Sequence, residues 1–318
     1  MTEQNNSKDF RTSIGGQALI EGVMMRGPRK IAIVVRTKDG LVETTEDINP
    51  IKEKYPVLGF VFIRGVVNFV SSMKIGIRSI MFSADKMPEE DQEEPTKFDK
   101  WIEAKLGNEK AEKVIITIAV IIGIAFSIGL FMLLPTFLAG IVAQFVENAV
   151  IRSLIEGLFR IIIFLTYLWA TTKVTAMKRI WMYHGAEHKA IYCYEKNLPL
   201  TVENIRDQSS LHPRCGTSFL FIVMLTSILV FSFTTFASWN NLLVRFALRI
   251  ALLPVVVAIS YEIIKLAGRY DNILTKIISA PGKALQRLTT SSPDDEMIEV
   301  AQRAIELVIP EDEKEAVW

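Results

Sequence analysis

The chain has 318 residues, half of them hydrophobic and 22% charged, with a net charge of +1. A near-zero charge without a long basic block argues against a nucleic-acid partner, and two cysteines are too few for a disulfide framework. Positive mean hydropathy beside an ordinary charged fraction means that the charge is segregated, which points to a membrane protein.

Residues 1–13 are polar and of mixed charge, without the apolar core or small-residue cleavage site of a secretory signal. Residues 1–56 read as a cap. Within it Gly15-Gly16-Gln17-Ala18-Leu19-Ile20-Glu21-Gly22-Val23-Met24-Met25-Arg26-Gly27-Pro28 places four glycines where the backbone approaches something closely or takes positive φ. Their spacing matches no phosphate loop. Two β-branched runs, 31–37 and 41–45, flank a turn containing Asp39 and Gly40, and predict a hairpin.

Residues 57–84 predict an amphipathic helix lying in a membrane interface. Arg64, Asn68, Ser71, Ser72, Lys74 and Arg78 share one side, while Phe69, Val70, Met73, Ile77 and Ile80 take the other. Arg64 and Lys74 argue against a transmembrane span here. Residues 85–113 follow as an acidic linker with Pro88 and Pro95, then a helix before the first span.

Residues 114–264 carry four segments long and apolar enough to cross a bilayer, at 114–137, 155–172, 217–236 and 242–264. Glu156 and Arg160 fall near the outer end of the second, and Arg245 and Arg249 in the first turns of the fourth. The 173–216 loop holds Lys173, Lys178, Arg179, Lys189, Lys196, Arg206 and Arg214. The segment after the fourth span adds Lys265, Arg269, Lys276, Lys283 and Arg287. The opposite connections, 147–152 and 238–241, are nearly bare. This asymmetry places the loop and both termini in the cytoplasm of a multi-pass cell-membrane protein. It also disfavours a soluble protein with buried helices. In the tail, 265–318, Ser292-Pro293 followed by acids starts a helix. Its stripe of Met297, Ile298, Val300, Ala301, Ala304, Ile305, Leu307 and Val308 needs cover from the protein itself or from a protein partner.

All three histidines lie in the basic loop. His184 and His188 belong to Tyr183-His184-Gly185-Ala186-Glu187-His188-Lys189, and His212 to Leu211-His212-Pro213-Arg214-Cys215-Gly216-Thr217. Histidines four apart share a helix face and can reach one metal ion. His-x-x-Glu-His is also the order of the inverzincin peptidases, with the glutamate as base on an activated water. His184, His188, His212 and Cys215 form a nitrogen and sulfur set suited to zinc. Four such ligands make a closed, structural site; three leave a position for water. Glu262 is a further candidate ligand. The competing reading has the histidines simply hydrogen-bonded to backbone or headgroups. Cys193 reads as a packed thiol, and Arg214 either as a residue holding an anionic substrate or, more simply, as one among headgroups. No nucleophile elbow supports a serine hydrolase.

The three motifs in order, Gly15 to Pro28, His184 to Lys189, and His212-Pro213-Arg214-Cys215-Gly216-Thr217-Ser218-Phe219, resemble the YqhQ family of bacterial membrane proteins. That family is of unknown function and carries the label of a predicted metal-dependent enzyme, which rests on these same histidines. The expected architecture is a mainly α, polytopic membrane protein with four transmembrane helices, an interfacial helix and a small β-containing cytoplasmic cap. The leading expectation is a divalent-metal site, zinc-like, with Glu187 as general base of a hydrolase. The alternative is a membrane scaffold or regulator with a structural metal or none. A third reading is a transporter or metal sensor. Beyond the bilayer, the expected partner is a protein met through the C-terminal helix.

Overall fold

The computed structural model describes residues 11–87, 96–238, 242–270 and 272–317. The first ten residues, the core of the acidic linker with both its prolines, and most of the 238–241 connection lie outside the described residues. The chain divides into two compact units. One comprises residues 1–86, 168–227 and 248–318; the other comprises 87–167 and 228–247.

The first unit is built on an antiparallel sheet of four strands in the order β1 (Gly15–Leu19), β2 (Gly22–Arg26), β3 (Lys30–Thr37) and β4 (Gly40–Asp47). The predicted hairpin is β3–β4, whose ends Thr37 and Gly40 pair across the turn. The glycine-rich segment before it forms a second hairpin, with Leu19 opposite Gly22. Its tight turn leaves Glu21 at φ 49°, a region unfavourable to non-glycine residues. The Glu21 carboxylate is pinned there by the guanidinium of Arg179 and by the Tyr183 hydroxyl at 3.2 Å.

A short helix α1 (Ile51–Lys54) leads to α2 (Ile63–Asp85). One sheet face packs Leu19, Met24, Ile31, Ile33 and Val35 against Ile75 and Phe82 of α2. The other packs Val23, Met25, Ala32 and Val34 against α7 (Thr175–Glu195) and α12 (Asp295–Glu306). Covering on both faces explains why β3 reads as an unbroken apolar run instead of alternating. The stripe on α12, capped by Asp294 accepting from the Met297 N–H at 2.9 Å, is therefore covered by the chain itself. Helix α2 also meets α10 (Leu242–Arg269), where Arg64 pairs with Glu262 and Asn68 donates to the Tyr261 hydroxyl.

In the second unit, α3 (Lys97–Leu106) precedes α4 (Asn108–Ile128). A π-helical turn at Gly129–Leu133 continues α4 into α5 (Leu134–Val142). Helix α6 (Ala149–Thr171) returns. Glu156 and Arg160 are not at its outer end but buried along it, paired at 3.2 Å. Thr136 donates to Glu156 at 2.8 Å, and Arg160 donates to the Phe131 carbonyl at 3.2 Å. That carbonyl belongs to the π turn, where the wider winding disturbs the regular hydrogen-bond ladder.

Four stretches are long and apolar enough to cross a membrane: Val114–Val142, Val150–Thr171, Gly216–Phe233 and Leu243–Arg269. The first outruns its predicted end because the helix winds on through the π turn. The remaining elements are α8 (Val202–Arg206), α9 (Gly216–Ser238) and α11 (Ile273–Thr289).

Candidate metal centre

From Tyr183 to Glu195, α7 is buried nearly all round, although its sequence includes charged residues. The segment joining α11 to α12 crosses it at Gly185. A Cβ on Gly185 would overlap the Ser291 carbonyl oxygen. The Ser291 N–H donates to the Trp181 carbonyl at 2.9 Å. The glycine of the histidine motif is thus the gap through which the end of α11 reaches His184.

Each imidazole is fixed from behind by a carbonyl. His184 Nδ1–H donates to Thr289 O at 2.7 Å, and His188 Nδ1–H to Ser210 O at 2.5 Å. Carbonyls only accept, so both Nδ1 atoms carry hydrogen and both Nε2 atoms face inward, the arrangement that orients metal-ligating histidines. His184 Nε2 lies 3.1 Å from Cys215 Sγ. His188 Nε2 is buried without a hydrogen-bond partner. The ligand atoms of His184, His188 and Cys215 all fall within 4.8 Å of one another.

Cys215 immediately precedes α9, and its sulfur accepts from the Thr217 N–H at 3.4 Å, a position that favours thiolate. Burial pushes the thiol up, but its interactions with the two imidazoles, His184 foremost, outweigh that and hold Cys215 well below the usual range. Burial likewise works against charged His184, and the Cys215 sulfur overrides it, pushing His184 up to about 9. His184 and Cys215 thus face each other across a short hydrogen bond that favours charge on both partners. Glu187, one residue before His188, is buried, and burial raises its carboxyl. A Cβ on Gly16 would come 3.0 Å from the Glu187 carboxyl carbon, so β1 closes over this side of the cluster.

The profile of the protein family of unknown function DUF1385 matches residues 60–311. The uncharacterized protein YqhQ of Bacillus subtilis (strain 168) is 34% identical over 295 residues, covering 90% of this chain and 89% of the relative. The chain belongs to the DUF1385 family. No solved structure matches it.

In this DUF1385 member His212 lies outside the three-residue group, with its ring centroid 5.7 Å from that of His188. The Gln286 amide brackets the His212 backbone, accepting from its N–H and donating to its carbonyl, each at 2.7 Å. The ring faces Tyr192 and the Glu195 carboxylate, 3.4 Å from Nε2. Burial, only partly offset by Glu195, lowers His212 to about 4. Arg214 is not among headgroups: it is buried and ion-paired with Glu195, which also accepts from the Thr12 N–H at 2.9 Å. Burial alone would raise Glu195, but the hydrogen bond from His212 and the charge of Arg214 leave it lowered. Glu262 is taken up by Arg64 in a two-pronged pair at 2.7 and 2.5 Å and does not join the cluster. Cys193 is a buried free thiol directed at the Leu198 and Pro199 carbonyls.

Sequence reasoning missed Glu195, Ser210, Gln286 and Thr289. For Glu195 a signal existed: it stands seven residues after His188, two helical turns along the same face. The other three act largely through the backbone or a side-chain amide, which leaves no such pattern.

Proposed function

We propose that the chain is a multi-pass membrane protein with a zinc-type centre on its cytoplasmic side, held by His184, His188 and Cys215 and catalysing a metal-assisted hydrolysis. The membrane reading is supported by the four apolar helices and by the concentration of Lys and Arg in residues 173–216 and 265–318. The single observation that carries the centre is the buried, unpartnered Nε2 of His188, aimed at the same point as His184 Nε2 and Cys215 Sγ. An unsatisfied buried polar atom costs about 1–3 kcal/mol, and a cation relieves it while replacing the proton between His184 and Cys215.

Held by two nitrogens and one sulfur, a metal would keep a fourth position for water. A bound metal would supply Lewis-acid activation of that water. Glu187, whose carboxyl lies close against Gly16 of β1, would accept the proton of that water. If His212 instead turns from Glu195 to become a fourth ligand, the site is closed and structural, a reading favoured by its ring distance of 5.7 Å from His188.

The test is metal analysis of purified protein beside His188→Ala, Cys215→Ala, His212→Ala and Glu187→Gln. Stoichiometric metal lost in the first two and kept in the last two supports the open site. Catalysis further requires that Glu187→Gln fail to complement a deletion strain. Loss of metal in His212→Ala marks the structural site, and a folded wild type without metal sinks both.

A further inference from the structure

Helix α11 has its polarity inside out for a helix on a soluble protein. It buries Thr275, Ser279, Gly282, Leu285, Gln286 and Thr289. Ile273, Leu274 and Ile277 are 78%, 65% and 63% exposed, and Leu288 is also exposed. At about 100° per residue, Ile273, Ile277, Ala284 and Leu288 form one stripe, with Leu274 on one flank. Lys276, Lys283 and Arg287 gather along the opposite flank. The helix therefore has three sectors: small and polar inward, large and apolar outward, cationic at one border.

The inward sector is committed to the candidate centre. Thr289 O fixes His184, Gln286 holds His212 and Ser218, and Gly282 lies so close to Ser218 that a Cβ would meet its side chain. The fourth apolar stretch ends at Arg269, and Asn272 caps the start of α11 through Thr275 at 2.9 Å. The helix thus begins within one turn of a segment that leaves the hydrocarbon. An apolar stripe bordered by cations, directly continuous with a span, matches the boundary between acyl chains and anionic headgroups.

We infer that α11 is seated in the cytoplasmic headgroup–acyl boundary through Ile273, Leu274, Ile277 and Leu288, with Lys276, Lys283 and Arg287 against anionic lipid phosphates. The candidate centre then works at the depth of lipid headgroups, and an amphiphile of the bilayer is the class of molecule it meets. The inference rests on the membrane reading proposed above.

The experiment is photo-crosslinking of the full-length protein in nanodiscs of phosphatidylcholine and phosphatidylglycerol, with benzoylphenylalanine placed singly at Ile277 or Leu274. Ile121, an exposed residue in the first apolar stretch, and Glu306 on α12 serve as references. The expected result is lipid adducts by mass spectrometry at Ile277, Leu274 and Ile121, and at least tenfold fewer at Glu306. Crosslinks from Ile277 and Leu274 to a second copy, to another protein or to the rest of the chain, with lipid adducts kept at Ile121, overturn the seating alone. Equal lipid yield at Glu306 overturns it as unspecific. Absence of lipid adducts at Ile121 overturns the membrane reading itself.

Discussion

Helices α11 and α12 follow one another, separated by residues 290–294, and treat their apolar residues in opposite ways. Helix α12 buries Met297, Ile298, Val300, Ala301, Ala304 and Ile305 against α7 and the sheet. Helix α11 turns Ile273, Leu274 and Ile277 outward and buries hydroxyls, a glycine and an amide. Amphipathicity in sequence is similar in kind for both. What differs is which sector the protein needs: α12 supplies core, whereas α11 supplies polar groups to a buried cluster. Its apolar sector is left for surroundings outside the unit.

The largest expected difference comes from truncating matched isoleucines. Ile305→Ala should cost about 2–5 kcal/mol, as for other buried large-to-small changes, and Ile277→Ala within about 0.5 kcal/mol in detergent. Unfolding curves of the two variants in one micelle check this, and equal losses would break the comparison. Next, Gly185→Ala should destabilise by about 1–3 kcal/mol, since the new methyl collides with the Ser291 carbonyl on the crossing between the two helices. It should also lower metal content by displacing Thr289 from His184, which mass spectrometry reads.

Gln286→Leu keeps the volume of the inward face of α11 but strips the His212 backbone of both partners. A loss of about 1–3 kcal/mol is expected, larger than for Leu274→Ala on the outward face. A pH effect sharpens the same point. His212 stays neutral in the folded protein down to about 4, while an unperturbed histidine gains its proton near 6.5. The unfolded chain therefore binds more protons across that window, and His212 makes stability fall as pH drops from 6.5 toward 4. His212→Gln should flatten that acid limb in thermal melts. The smallest effect belongs to Arg206→Ala. It breaks a well-formed but exposed pair with Asp295 at the start of α12 and should leave the thermal midpoint nearly unmoved, since exposed ion pairs contribute little.

The four long apolar helices, the β3–β4 hairpin and the start of α12 were legible because each rests on a local rule: run length, β-branched residues around Asp39-Gly40, or a capping acid. The β1–β2 hairpin was not. Gly15, Gly16 and Gly22 lack the side chains that mark a strand, and its turn relies on Glu21 being held by Arg179, a contact 158 residues away. Within the centre, the pairing of His184 and His188 with Cys215 followed from residue type and spacing. The exit of His212 toward Glu195 did not, because it depends on Gln286 brought in from α11. The inward and outward sectors of α11 were equally hidden, since which face is buried is decided by what the carbonyl of Thr289 must reach.

Cys215 sits directly before Gly216, the first residue of an 18-residue apolar stretch, while His184 and His188 stand on a helix packed among the sheet and α12. On the proposed reading, one candidate ligand is thus fastened to a span and two to a helix packed against the sheet. In a bilayer, a span answers a change of hydrocarbon thickness by tilting, and a tilt of α9 moves the sulfur relative to the two imidazoles. The proposed ligand cage would then span the joint between a part that feels membrane thickness and a part that does not. Metal affinity should accordingly shift when the same protein is moved from short-chain to long-chain phosphatidylcholine discs.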